Sequence, residues 1–288
     1  MDVHSLLQRY ERGQRDFSGI DLSGADLRGQ TLIGVNFREA NLRGVQLSRA
    51  FLTKADFTGA CLNWADFQCA KLSDSKLADG DLTKANLSGA FMVQAKLPRA
   101  KLAGANLSHT NLRRANLWGA NFCGANLQKV NLRQANLSGS HFNWANLAEA
   151  RLSEANVSGA SFNGVNLSAA FIRDVDLSGM DLEGVNLTDA RLQGAKLIGA
   201  NLTATNCQSA HFQGADLQGA NFTQANLSGA SLERANLTDA ILKQATLQQV
   251  NWERAILSGV EWEGARSSSP EVQWLHLYPM EPALSWAV

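Results

Sequence analysis

The sequence predicts an all-β solenoid, a stack of short coils, and three observations carry that prediction. A large apolar residue, replaced once by Cys207, recurs at every fifth position from Phe17 to Trp262, fifty positions without one insertion or deletion. Of the 49 positions two residues before these centres, from Ile20 to Val260, 33 are Ala and 10 are larger apolar residues. Of the 24 Gly residues, 22 fall two positions after a centre; only Gly13 and Gly80 fall elsewhere.

A period of five fits neither regular structure. On a helix, five residues rotate a side chain by about 140°, so the centres scatter around the axis. On a strand, the Ala and the centre two residues on share a face, but the next pair, an odd number of residues away, falls on the other. Both pairs point inward only if the chain turns a corner within every five residues. Gly suits that corner, because the third residue of a type II turn needs φ > 0. Pro98, the sole proline within the repeats, stands one place earlier, where a φ near −65° is accepted. Such unbroken self-similarity signals a stacked solenoid.

The first element, residues 1–14, reads as a capping helix. Asp2 is placed to N-cap it, Val3, Leu6, Leu7 and Tyr10 form an i, i+3, i+4, i+7 stripe, and Gly13 is placed to end it. The stripe is expected to cover the first coil. A membrane-surface helix is the sharper reading, but the apolar face is short and its charges are mixed.

Residues 15–265 form the second element, a single repeat domain. Ala25-Asp26-Leu27, Ala115-Asn116-Leu117 and Ala225-Asn226-Leu227 carry its motif, A-(D/N)-L-x-x. The chain thereby resembles the pentapeptide-repeat family, bacterial and cyanobacterial members included. The resemblance implies a right-handed quadrilateral β-helix, four pentapeptides to each coil, with Leu or Phe and Ala inward. Residue types recurring at twenty agree: Phe17, Phe37 and Phe57 share a column of centres, as do Phe122, Phe142 and Phe162. Phe51, Phe91 and Phe171 share an outward column, and Trp64 and Trp144 another. Fifty units make about 12 coils, about 60 Å of stack at ~4.8 Å per coil. Both ends of such a stack expose sheet edges, so caps are expected.

Residues 266–288 are the third element, a C-terminal cap or dimerisation segment. The repeat stops at Arg266, Ser267-Ser268-Ser269-Pro270 marks the boundary, and Pro279 and Pro282 exclude a long helix. Some relatives in the family dimerise end to end, so a monomer or an end-to-end homodimer is expected. Trp252 and Trp262 stand where Leu is usual near the end of the run, as though the core there meets something other than another coil.

The outward residues bear on function. No run approaches the roughly 20 apolar residues of a membrane span and no signal-like segment opens the chain, so a cytoplasmic setting without membrane contact is expected. Cys61, Cys69 and Cys123 face outward in different columns and Cys207 is an inward centre; no disulfide or zinc cluster follows. His109, His141 and His211 fall in three columns with no ligand-spaced partners. The recurrent Ser beside the corner Gly suits turn chemistry. No catalytic, metal or cofactor residue is therefore assigned, and the chain is read as no enzyme. Asn116, Asn121, Asn126, Asn131 and Asn136 follow one another around the coil, so backbone hydrogen bonding explains them better than a calcium- or ice-binding array.

Charge is the informative outward feature. Net charge is 0, yet residues 1–144 hold 18 basic and 11 acidic side chains and residues 145–288 hold 8 and 15. From Leu82 to Ala148 there is no Asp or Glu, while Lys84, Lys96, Arg99, Lys101, Arg113, Arg114, Lys129 and Arg133 all occur. Arg113, Arg114, Arg133 and Lys129, with the outward aromatics Trp118 and Trp144, are the candidate partner-binding residues. The expected function is a non-catalytic scaffold that binds another protein through its outer surface, with a regulatory role. The alternative is a nucleic-acid-related role, either direct binding through the basic belt 82–148 or DNA mimicry toward a gyrase-type topoisomerase. Relatives in the family that protect DNA gyrase resemble acidic duplex DNA, whereas the first half here is basic and only the half with Asp174, Asp176, Asp181, Glu183 and Asp189 is acidic.

Overall fold

The computed structural model describes residues 2–267. It divides into two compact units, Met1–Arg151 with Ala155–Ala160, and Leu152–Glu154 with Ser161–Val288. Among the described residues both are β-solenoids built from one rung.

Each pentapeptide holds one bridging residue, just before its centre, and that residue pairs in parallel with the residue twenty positions on. The pairs run from Asp16–Asn36 to Asn136–Asn156 in the first unit and from Asn166–Asn186 to Thr246–Arg266 in the second. Twenty residues thus close one coil, four sides of five. The sides are named here by their first centres: side 1 by Phe17, side 2 by Leu22, side 3 by Leu27 and side 4 by Leu32. Each side is one bridged residue between two turns, because the corner arrives before a longer strand can form.

Four of the five N–H groups of a unit go to backbone carbonyls. In the unit centred on Leu42, the Asn41 N–H donates to Ile20 on the preceding coil, and the Leu42 and Gly44 N–H groups donate to Cys61 and Asn63 on the following coil. The Val45 N–H closes the turn onto the Leu42 carbonyl at 3.1 Å. The fifth N–H, one place after the centre, has no carbonyl in reach and is taken by the Asn or Asp side chain. Ser23 N–H donates to Asp21 Oδ1 at 2.9 Å and Ser108 N–H to Asn106 Oδ1 at 3.1 Å. Since a buried or half-buried backbone donor must be paired, this is why Asn or Asp recurs at the motif's second position. It also shows a second reason why Pro98 is tolerated: its place is the one whose N–H the backbone does not use, and Lys96, not Asn or Asp, precedes it.

The Asn side chains then bond to one another along the stack, always toward the N-terminus. On side 3, Asn126 Nδ2 donates to Asn106 Oδ1 at 3.3 Å, Asn106 to Asn86 at 3.4 Å, and Asn86 to Asp66 at 2.9 Å. Several of these ladders begin on Asp, which only accepts. Asp16, Asp66, Asp181 and Asp216 each occupy that first position beneath an Asn.

The corner residue two after the centre has φ between +54° and +71° at every position given, whether Gly or not; Glu39, Trp64, Arg114, Lys129 and Trp144 lie at +56° to +63°. The turn thus imposes the left-handed region on residues that ordinarily avoid it, at a cost that Gly escapes.

The interior is filled from four sides. In the first unit every centre is buried, and Phe122 and Phe142 stack with centroids 4.8 Å apart and planes 3° apart. Phe17, Phe37 and Phe57 form the other expected column, at 6.1 and 5.7 Å, while Phe57 and Phe67, from opposite sides, meet edge to face. In the second unit Phe212 and Phe222 meet likewise, as do the half-buried Trp252 and Trp262 at 5.7 Å. Four polar residues face inward, Ser75, Thr110, Ser140 and Thr205, and each hydroxyl donates to a turn carbonyl at 2.7–2.8 Å.

Helix α1, Val3–Glu11, lies against the first unit. Asp2 Oδ1 accepts from Ser5 N–H at 2.8 Å. The Gly13 N–H to Tyr10 and the Gln14 N–H to Arg9, with Gly13 at φ +95°, make the double bond of a Schellman end. Leu6 is fully buried, and the Tyr10 hydroxyl donates to the Ile33 carbonyl at 3.0 Å. The expected C-terminal cap or dimerisation segment lies, from residue 268 on, outside the described residues.

Candidate functional site

The acid-free belt lies in the first unit, and the rungs decide which of its side chains meet. Arg113 and Arg133 follow successive centres on side 4. Their backbones are held by the local turn chemistry, each N–H on the Asn two residues before it, Asn111 or Asn131, at 3.2 Å. Arg114 N–H donates to the Arg133 carbonyl at 3.0 Å, and its Nε donates to Gln134 Oε1 at 2.9 Å. The three arginines therefore lie next to one another, exposed, on two consecutive coils. Among the described residues no ion pair involves any of them.

The other candidates point elsewhere. Lys129 is at the corner of side 3, with its ammonium 3.4 Å from Glu149 Oε1, so the carboxylate at the edge of the belt meets it. Trp118 is on side 1, 46% exposed, with the Arg99 guanidinium 5.6 Å from its ring centroid. Arg99 is itself forked onto Asp79 by two bonds of 2.7 Å, and that hydrogen bonding, ahead of charge attraction, holds the Asp79 carboxyl below its usual range. Trp144, on side 2, is 73% exposed. The structure thus brings Arg113, Arg114 and Arg133 together and does not bring Lys129, Trp118 or Trp144 to them.

Side 4 holds further residues that charge counting overlooks. Phe51, Lys71 and Phe91 occupy bridging positions on three consecutive coils, where Asn or Asp is usual. Lys71 Nζ lies 3.3 Å from the Phe91 centroid, and Phe51 and Phe91 are 46% and 43% exposed. The twenty-residue column that links the two Phe residues is their signal in the sequence, and it runs on through Asn111 and Asn131 to the coils that carry the arginines.

Among the described residues there is no group of three or more His, Cys, Asp or Glu placed to hold a metal ion. Cys61 and Cys69 are exposed, whereas burial pushes the Cys207 thiol up to about 12. An open depression on side 3 is lined by Arg28, Gly29, Ser48, Arg49 and Gln68, and Arg28 there is already paired with Asp26 at 2.6 Å. No helix among the described residues is long and apolar enough to cross a membrane.

A rung of twenty, a filled interior and side chains displayed on four outward faces define the class: a repeat β-helix, or solenoid, protein. Eight copies of the family model "Pentapeptide repeats" match residues 20–59, 36–74, 65–102, 100–139, 140–179, 172–203, 205–244 and 235–266. The chain belongs to the pentapeptide-repeat family. Among solved structures it is similar to HetL, a pentapeptide repeat protein involved in heterocyst differentiation regulation from the cyanobacterium Nostoc sp. strain PCC 7120. The two are 31% identical, with 92% of this chain and 96% of that one covered, at a TM-score of 0.30. A second pentapeptide repeat protein from Nostoc is 31% identical over 38% of this chain and 80% of its own, at a TM-score of 0.31. The plasmid-mediated fluoroquinolone resistance protein QnrB1 is 17% identical over 91% of this chain and 98% of its own, at a TM-score of 0.23. No match was found among curated proteins.

Proposed function

We propose that the chain is a non-catalytic, cytoplasmic scaffold that binds another protein through the outer surface of its first half. In this reading residues 15–265 act as one domain of about 12 coils, with α1 capping the first. The observation that carries the reading is the arginine cluster: Arg113, Arg114 and Arg133 lie next to one another and exposed, with no ion pair among the described residues to neutralise them. Clustered guanidinium groups left without a carboxylate suit recognition of an acidic surface. The interior positions are Ala, Leu, Phe and Val almost throughout, which leaves recognition to the outward ones. A regulatory role is in line with the 31% identity to HetL.

The test is a pull-down from the native host with the wild-type chain and with R113E/R114E/R133E. The reading expects one protein captured by the wild type and lost with the triple variant. Duplex DNA binding that falls steeply with salt and depends on the same residues would replace it with nucleic-acid recognition. Relief of gyrase inhibition in a supercoiling assay would replace it with DNA mimicry.

A further inference from the structure

Side 4 of the first unit combines two features that the belt alone does not explain. Phe51 and Phe91 stand exposed with Lys71 between them, and Arg113, Arg114 and Arg133 follow on the next two coils of the same side. On the three coils that carry Phe91–Gln94, Asn111–Arg114 and Asn131–Gln134, this side holds no carboxylate. Large exposed aromatics at bridging positions are unusual in this chain, where Asn or Asp there satisfies a backbone N–H. Their presence gives up that local bond and places two exposed aromatic rings, with Lys71 between them, on the side that carries the arginines.

We infer that side 4 of the first unit docks an extended acidic segment of a partner protein, laid along the stacking direction, apolar residues over Phe51 and Phe91 and carboxylates on the arginines. The inference rests on the protein-binding reading above and adds the side and the partner's chemistry. Four rungs separate Phe51 from Arg133, about 19 Å at ~4.8 Å per rung, which about six extended residues span at ~3.3 Å each. Charge complementarity selects carboxylates, since planar guanidinium groups pair with them in bidentate fashion. A protein segment suits the surface better than a nucleic acid. The Lys71 ammonium, 3.3 Å over the Phe91 ring, blocks flat stacking of a base on that face, while the rest of the ring, 43% exposed, is open to an apolar side chain.

The probe is a fluorescein-labelled synthetic peptide of twelve residues, Leu and Phe in its first half and alternating Glu in its second, followed by anisotropy at about 100 mM salt. Poly-glutamate and an oligo-dT of equal length serve as comparisons, and circular dichroism melts establish that each variant is folded. The expected result is saturable binding of the peptide, weakened about tenfold or more by R113E/R114E/R133E and severalfold by F51S/F91S. K84E/K101E, which reverses charges on side 2, is expected to change it less than about twofold, because exposed charges a coil face away are screened over ~10 Å at this ionic strength. Equal loss with K84E/K101E overturns the choice of side. Poly-glutamate binding as tightly as the peptide, with F51S/F91S neutral, overturns the apolar half, and tighter oligo-dT binding overturns the protein segment. No peptide binding, alongside a host partner whose capture still depends on the arginines, overturns this chemistry while the protein-binding reading stands.

Discussion

Exchanging Asn and Asp within the side 3 ladder separates two residues that the motif treats as equivalent. Asn106 accepts at Oδ1 from Ser108 N–H at 3.1 Å and from Asn126 Nδ2 at 3.3 Å, and donates from Nδ2 to Asn86 Oδ1 at 3.4 Å. Asn106→Asp keeps both acceptances but turns the donor into an oxygen facing another oxygen. One hydrogen bond is lost and a half-buried acceptor pair is forced together, a cost of about 1–3 kcal/mol. Asp66 has no such donor role: it accepts from Gln68 N–H at 3.1 Å and from Asn86 Nδ2 at 2.9 Å. Asp66→Asn preserves both bonds and is expected to shift stability by no more than about 0.5 kcal/mol, as for a surface change away from a special feature. Urea unfolding followed by circular dichroism measures both. With an m-value of about 3 kcal/mol/M, Asn106→Asp lowers the midpoint by about 0.3–1 M and Asp66→Asn leaves it nearly unmoved. Equal shifts for the two variants, or a neutral Asn106→Asp, would refute the directional ladder.

Three further outcomes follow from the same geometry. Leu127 is fully buried, so Leu127→Asp places an unpaired charge in the interior and is expected to cost more than about 4 kcal/mol, whereas Gln128→Asp stays within about 0.5 in the same urea titration. Proline tolerance is expected to depend on position: Asn116→Pro removes the bond to the Ala95 carbonyl at 2.9 Å and costs about 3 kcal/mol, while Trp118→Pro, whose N–H goes only to Asn116 Oδ1, melts within a few degrees of wild type. With its thiol pushed up to about 12, Cys207 should resist alkylation at pH 8.5 until the chain is unfolded, while the exposed Cys61 and Cys69 label at once; the raised value also means that its contribution to stability is present below about pH 9 and lost as pH rises toward 12.

Carboxylates give the opposite sign. The N–H and hydroxyl of Ser18 and of Ser23 hold Asp16 and Asp21 below the usual range, and the Arg28 side chain, then its N–H, lowers Asp26 to about 2. A depressed folded value means that these contributions are present above about pH 4 and are lost as pH falls toward 2. A carboxyl chemical-shift titration should show Asp26 as the last of the three to protonate; an ordinary value would remove the Arg28 contact from solution.

Most of the fold was legible because its chemistry repeats within five residues. The inward Ala and Leu, the corner with φ > 0 at Gly119 or Gly124, and the helix between Asp2 and Gly13 are local demands, and each leaves a residue type at a set spacing. The even spacing of the Asn positions around the coil points to backbone hydrogen bonding, but which N–H they serve follows only from the turn, which leaves one donor per unit unused. That Asp starts a ladder and Asn continues it was invisible for a related reason: the partner lies twenty residues away.

The candidate site divides along the same line. Sequence by itself determined that Arg113, Arg114, Arg133, Lys129, Trp118 and Trp144 face outward and that no acid accompanies them between Leu82 and Ala148. The spacing of twenty between Arg113 and Arg133, with Arg114 beside them, also placed these three on one side; only the tertiary structure decided that Lys129 meets Glu149 and that Phe51, Lys71 and Phe91 adjoin the arginines. The reason is physical: the five-residue unit fixes inward or outward, while the closed coil of twenty fixes which outward side chains stand within reach of one another.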